Sequence, residues 1–280
     1  MTGWSVRHIS AQDGRVALVT DAAGPLGRAT ARRLVRAGAE VVHADSDPER
    51  ARAAARAAGG AVPGILVRAA CLDPADPESL TAFADHLTVE LPSLDLLVIH
   101  ADTSSGQGAL LPYALTGRLL PLLLAARGPR VVTVGGPAPR EHSRPRGTPR
   151  LAHLAPLVFA RELQRRADAA GVRLTSVAVR PGTGAGRPPG SGSRLARVLA
   201  DHGIPRTSHP PAASAALPSL YAATVPGVAP GGLYGPAGRL EGRGSPGPLT
   251  PPRAATDPAR ARELWESCER VTGVSYDWPA

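Results

Sequence analysis

Six short apolar runs recur along the chain, VALVT (16–20), EVVHA (40–44), ILVRA (65–69), LLVIH (96–100), RVVTV (130–134) and LTSVAV (174–179), with longer amphipathic stretches between them. Runs that are apolar throughout, instead of alternating with polar residues, predict strands covered on both faces. Their alternation with helical spacing predicts an α/β fold with a doubly wound parallel sheet in a single domain over residues 1–280. The expected strand order is 3-2-1-4-5-6, with a short seventh strand near GGLYG (231–235).

The helix ends carry their own punctuation. Ser46, Asp47 and Pro48 precede ERARAAARAA, with Glu49 positioned to complete a capping box with Ser46, and Asp76 and Pro77 open ESLTAFADHL. Gly38 and Gly171 stand where helices should stop. The most apolar run, ALLPYALTGRLLPLLLAA (109–126), is interrupted by Arg118 and two prolines, so it predicts a buried helix and no membrane span. Beyond residue 182 the pattern weakens. GTGAGRPPGSGSR reads as part of a mobile substrate lid over 183–212, and 236–280 as a C-terminal extension ending in the helix DPARARELWESCERVTG.

Composition changes this picture in two places. The net charge of +9 is the kind of balance that nucleic-acid binders carry, but all 32 basic residues are arginine and lie scattered, without runs or interleaved aromatics. That predicts a solvated surface and no nucleic-acid partner. The absence of lysine also excludes any role that needs an amine. Cys71 and Cys268 are far apart, and the eight histidines show no paired spacing, so neither a disulfide framework nor a metal site is expected. The stretch MTGWSVRHISAQDG lacks an apolar signal core, and the expected compartment is the cytoplasm.

Residues 20–27, T-D-A-A-G-P-L-G, follow the first strand and open a helix, the context of a loop that cradles pyrophosphate with close backbone approach and free helix N–H groups. Thr20, Gly24, Leu26 and Gly27 fit such a loop; Asp21 stands where its first glycine belongs. Aspartate tolerates left-handed backbone, so the turn survives. At about 8 Å from a phosphate and an effective dielectric near 20, its charge repels by about 2 kcal/mol. The helix N-terminus returns about 0.3–1 kcal/mol, and Arg28 is available to neutralise the carboxylate. Weakened binding, not abolished binding, is the expectation.

With this loop the chain resembles the short-chain dehydrogenase/reductase superfamily, in its retinol-dehydrogenase-like branch. The likeness extends over nearly the whole length, through the GWS…DGRVALVT entry, VFARELQRR (158–166), RPG (180–182), GLYGPAGRLEG and ELWESCERVTGV. It implies that Asp45, ending the second strand, bonds the adenosine ribose hydroxyls and favours NAD over NADP, and that Asp73 in CLDPAD meets the adenine ring. Ala101, Pro181 and Gly182 join the implied cofactor contacts. Read without the resemblance, Asp45 is a solvated residue beside a helix cap and Asp73 a turn former before Pro74.

The resemblance also implies a catalytic tetrad of Tyr-x-x-x-Lys, serine and asparagine, in which lysine lowers the tyrosine pKa. Anchoring on VFARELQRR puts Pro149 at the tyrosine position and His153 at the lysine position. Gly135 or Gly136 stands for the serine and Gly108 for the asparagine, while the Asn-Asn-Ala-Gly turn reads IHAD with Asp102 last. Candidates for a substitute acid or base are His153, His142 and Glu141, with His100, Asp102 and Ser143 as weaker ones. The expected function is a non-redox or atypical enzyme, of dehydratase, isomerase or cyclase type, acting on a small apolar metabolite. The alternatives are an NAD-dependent oxidoreductase on a carbonyl or alcohol, and a non-catalytic protein that binds the cofactor as a sensor or serves as a partner subunit. A homodimer, or a heteromer with an active relative, is the expected assembly.

Overall fold

The computed structural model describes residues 3–101, 108–135, 154–182, 211–238 and 244–279. Eight strands form one sheet in the order β3-β2-β1-β4-β5-β6-β7-β8. They are β1 (Val16–Val19), β2 (Glu40–Asp45), β3 (Val67–Cys71), β4 (Leu96–His100), β5 (Arg130–Val134), β6 (Thr175–Val179), β7 (Leu233–Pro236) and β8 (Pro246–Leu249). All neighbours pair in parallel except β7 and β8, where Leu233 faces Leu249 in an antiparallel ladder. The expected doubly wound order and seventh strand are present. β8 lies within a segment that sequence reading left extended, because PGPL has neither alternation nor β-branched residues to mark it.

The four residues of β1 are all buried and serve both faces in turn. Val16 and Leu18 pack with α3 (Pro77–Glu90), α4 (Leu110–Arg118), α5 (Leu120–Ala125) and α6 (Ala155–Ala169). Ala17 and Val19 pack with α1 (Pro25–Arg36) and the helix Leu217–Thr224. This two-sided burial is why the strand runs read as apolar throughout. Among the described residues, no helix is long and apolar enough to cross a membrane.

Two local expectations are corrected. The cap of α2 (Pro48–Gly59) is Asp47 and not Ser46: its carboxylate accepts from the Glu49 and Arg50 N–H groups, and Pro48 takes the first helical position. The run 109–126 is two helices meeting at Leu119, because Pro121 lacks the N–H that a continuous helix would use. In α6, Pro156 sits in the first turn, where a missing N–H costs nothing. Asp76 caps α3 as expected, and Gly38 and Gly171 adopt positive φ of 99° and 66° just past the ends of α1 and α6.

Candidate active site

Two recesses open at the C-terminal edge of the sheet, where ligands bind in open α/β folds. The first is the turn from β1 to α1. Thr20 is tied to β4, its hydroxyl accepting the His100 N–H at 2.9 Å and its carbonyl accepting from His100 Nδ1 at 2.7 Å. A carbonyl only accepts, so the proton sits on Nδ1 and Nε2 is left as a buried atom without a partner. Burial pushes the His100 pKa down to about 4, against the opposing effect of the Thr20 bond, so the ring is neutral. His100 is thereby a strap between strands.

Asp21 adopts φ 50°, the one positive φ outside glycine among the described residues. The turn survives as expected, and the carboxylate folds over Gly24, where an added Cβ would overlap it. A Cβ on Gly27 would collide with the Asp21 carbonyl oxygen, so the loop requires glycine there, whereas at Gly24 the obstacle is the movable Asp21 carboxylate. The Gly24 N–H is spent on the Asp21 carbonyl at 3.0 Å and Pro25 has none, which leaves Leu26 and Gly27 as the free amides of the first turn. Although Asp21 is an exposed residue, partial desolvation of its carboxyl, with the neighbouring Asp45 charge adding and Arg50 opposing, raises its pKa to about 6.

Asp45 is 5% exposed. One of its oxygens accepts from the Ala23 N–H at 3.1 Å and the other from the Asp47 N–H at 3.2 Å. It therefore braces the cradle from behind while keeping a lone pair on each oxygen. Asp73 accepts from the Ala75 N–H at 2.9 Å, the bond of a turn former, and its own N–H donates to the Ser79 hydroxyl. The structure thus brings Thr20, Asp21, Gly24, Gly27 and Asp45 together around one loop and leaves Asp73 in the turn after β3.

Ala101 follows β4 with its N–H on the Val134 carbonyl, and Gly108 is buried just before α4. Pro181 and Gly182 are buried, and the Gly182 N–H donates to Ala215. Asp102, Gly136, Glu141, His142, Ser143, Pro149 and His153 lie outside the described residues, as does nearly all of the lid 183–212.

All four tyrosines are described, and each is committed elsewhere. Tyr113 donates to the Val274 carbonyl at 2.9 Å and Tyr276 donates to the Tyr113 carbonyl at 2.7 Å. Both belong to an aromatic cluster with Phe159 and Trp265 on the α3–α6 side of the sheet. Burial pushes both phenol pKa values above the usual tyrosine range. Tyr234 accepts from the Ala229 N–H, and Tyr221 packs between Trp4 and Tyr234.

The VFARELQRR stretch is structural. Glu162, buried on α6, accepts from Arg165 and Arg166, which hold its pKa below the ordinary value despite burial, and the Arg166 guanidinium lies 4.2 Å over the Trp265 ring. Arg161 donates to the Gly231 carbonyl, and Gln164 bridges Asp168, Leu174 and Ser176. These residues hold the last helix (Pro258–Thr272) and β6 against α6.

The second recess is a cavity of ≈ 240 Å³ over β5, β6, β7 and β8, closed on one side by Leu154, Pro156 and Leu157 at the start of α6. Register stacks its floor in rows. Thr133, Ala178, Leu233 and Leu249 lie side by side across four strands. Arg180 stands one row higher, with Gly135 and Gly235 on its flanks. Sequence reading passed over Thr133 and Arg180. The signal was their period-two spacing in RVVTV and SVAVR, which puts both on the face that α6 covers.

The short chain dehydrogenase family model matches residues 15–110. Human dehydrogenase/reductase SDR family member 13 is 32% identical over 93% of this chain and 74% of its own length. Mouse retinol dehydrogenase 14 is 30% identical over 93% of this chain and 86% of its own. A crystal structure of an uncharacterized protein from Mycobacterium paratuberculosis superposes with a TM-score of 0.73 at 29% identity, covering all of both chains. With the cradle, the strand order and these relatives in agreement, the chain belongs to the short-chain dehydrogenase/reductase family, as a retinol-dehydrogenase-like member.

Proposed function

We propose that this protein binds a nicotinamide dinucleotide along the β1–β2–β4 edge and a small apolar molecule in the β5–β8 cavity, and that it acts as an atypical member without the family's tyrosine-dependent hydride transfer. The observation that carries this reading is the placement of the tyrosines. The phenol that would serve as acid or base needs a neighbouring ammonium to lower its pKa, but the chain has no lysine, and all four phenols pack or bond away from the cavity. The chain also has no asparagine to complete a tetrad.

The residues present fit the dinucleotide at a cost. Gly24 and Gly27 keep the cradle open to backbone approach, and the Leu26 and Gly27 amides face the phosphate position at the α1 N-terminus. Asp45 retains the lone pairs to take ribose hydroxyls, which favours NAD over NADP. Asp21 adds a like charge beside the phosphates. The bound nicotinamide would supply hydride chemistry. Any proton transfer by this chain falls to His153, His142 or Glu141.

A second reading, an NAD-dependent oxidoreductase, is favoured by the relatives, which are dehydrogenases. Calorimetry with NADH, run beside nicotinamide absorbance over a panel of carbonyl compounds, separates the two. Binding without turnover is expected; sustained oxidation of NADH defeats the proposal in favour of the second reading. Substituting His153 and Glu141 then tests the acid/base role, which fails if both variants keep full activity on whatever substrate is found.

A further inference from the structure

Two polar side chains in the β5–β8 cavity have no part in the cofactor reading. The Thr133 hydroxyl is fully buried in the cavity wall and has no hydrogen-bond partner. A buried hydroxyl without a partner is uncommon, and a small shift of the wall would bring this one to what enters the cavity. Arg180 stands two residues beyond Ala178, the register partner of Thr133, and so about 7 Å further along the strand. Its guanidinium makes no ion pair among the described residues. Gly135 and Gly235 leave the space beside it clear, and at Gly235 any Cβ would press on the Arg180 backbone and on Leu249. The rest of the lining is apolar except for Thr250, with Leu157, Leu233, Leu249 and Pro252 offering hydrocarbon contact. A guanidinium cannot lose its charge and presents a planar fork of donors that matches a carboxylate.

From this arrangement we propose that the cavity takes an apolar monocarboxylate bearing a second oxygen along its chain, an oxo or hydroxy acid. Arg180 holds the carboxylate at the mouth, and Thr133 bonds the second oxygen inside. The volume, at the small end of ligand cavities, selects a short chain. This names the substrate class of the site in the proposed function and rests on that reading for its place beside the cofactor, but binding of the acid requires no nucleotide.

The test uses the full chain without nucleotide, titrated calorimetrically with octanoate, methyl octanoate and 5-oxooctanoate at pH 7.5. Octanoate should bind about tenfold more tightly than its ester, and the oxo acid several-fold more tightly than octanoate. Arg180→Gln should erase the preference for acid over ester, and Arg180→Lys should keep part of it. Thr133→Val should erase only the preference for the oxo acid. Circular dichroism on each variant separates loss of fold from loss of contact, and a collapsed Arg180→Gln leaves the lysine variant and Thr133→Val to decide. Equal binding of acid and ester, an acid preference unchanged in Arg180→Gln, or no binding of all three ligands overturns the proposal. NADH titrated into the same preparations reads the cofactor proposal separately, so either fails without the other.

Discussion

The two halves of the sheet edge differ in kind. Around β1, β2 and β4 the edge is anionic: Asp21 folds over Gly24, and Asp45 is held by the Ala23 and Asp47 amides. Around β5–β8 the cavity is mostly apolar and carries one guanidinium. The first half keeps a binding loop in which Ala22 and Ala23 donate to β2, Gly24 donates to Asp21, and the Leu26 and Gly27 amides stay free. The second has a cavity without tyrosine or lysine in its described lining, while Glu162, Arg166 and Trp265 hold α6 and the last helix together elsewhere. The VFARELQRR stretch is held by core contacts, so its presence speaks for the packing of α6 and not for a reaction.

The sharpest break in this contrast is Trp265→Ala. Trp265 is 4% exposed and touches Tyr113, Phe159 and Tyr276, so truncation should cost about 3–5 kcal/mol in a denaturant titration. NADH affinity should be unmoved under native conditions; a large loss there would tie the two halves together. Next comes Gly27→Ala, whose Cβ meets the backbone carbonyl of Asp21, which has no room to yield. A destabilisation of about 1–3 kcal/mol is expected, together with loss of measurable nucleotide binding.

Asp21→Asn acts in the opposite direction. Removing a repulsion of about 2 kcal/mol should tighten NADH binding by roughly thirtyfold at pH 8, a change that calorimetry reads directly. The gain should shrink below pH 6, because the native carboxyl, raised to about 6, is by then protonated. The same shift has a stability consequence. The folded state holds this proton more tightly than the unfolded chain, so the contribution is present below the ordinary carboxyl value and lost as pH rises through 6. Thermal melts between pH 4 and pH 7 should show this slope flattened in the asparagine variant. The smallest effect belongs to Thr133→Val, an isosteric removal of an unpartnered hydroxyl. It should stabilise the ligand-free protein by about 1 kcal/mol, and a destabilised variant would mean that the hydroxyl has a partner.

Much of the architecture was legible because its signals are local. Continuous apolar strands announced a two-sided sheet, and Asp76-Pro77 announced the start of α3. β3 begins two residues later than ILVRA suggested, at an edge where burial no longer disciplines the pattern. Asp47 displaced Ser46 as a cap since both have the chemistry and only chain direction into Pro48 chooses between them. In the site, both loop glycines were legible, Gly27 because backbone meets backbone there and Gly24 because the Asp21 carboxylate lies against it. Thr133 and Arg180 were not, because nothing in either residue marks it as facing a cavity until four strands are set in register.

By itself the sequence determined the fold class, the strand order and the absence of a lysine-dependent tyrosine, because periodicity and residue inventory need no partner to be read. Only the tertiary structure decided where each tyrosine goes, that Asp45 braces the loop with one oxygen and the start of α2 with the other, and that an arginine and an orphaned hydroxyl share one cavity. Those facts depend on contacts between residues tens of positions apart. Such contacts exist only once hydrophobic burial has fixed which strand lies beside which.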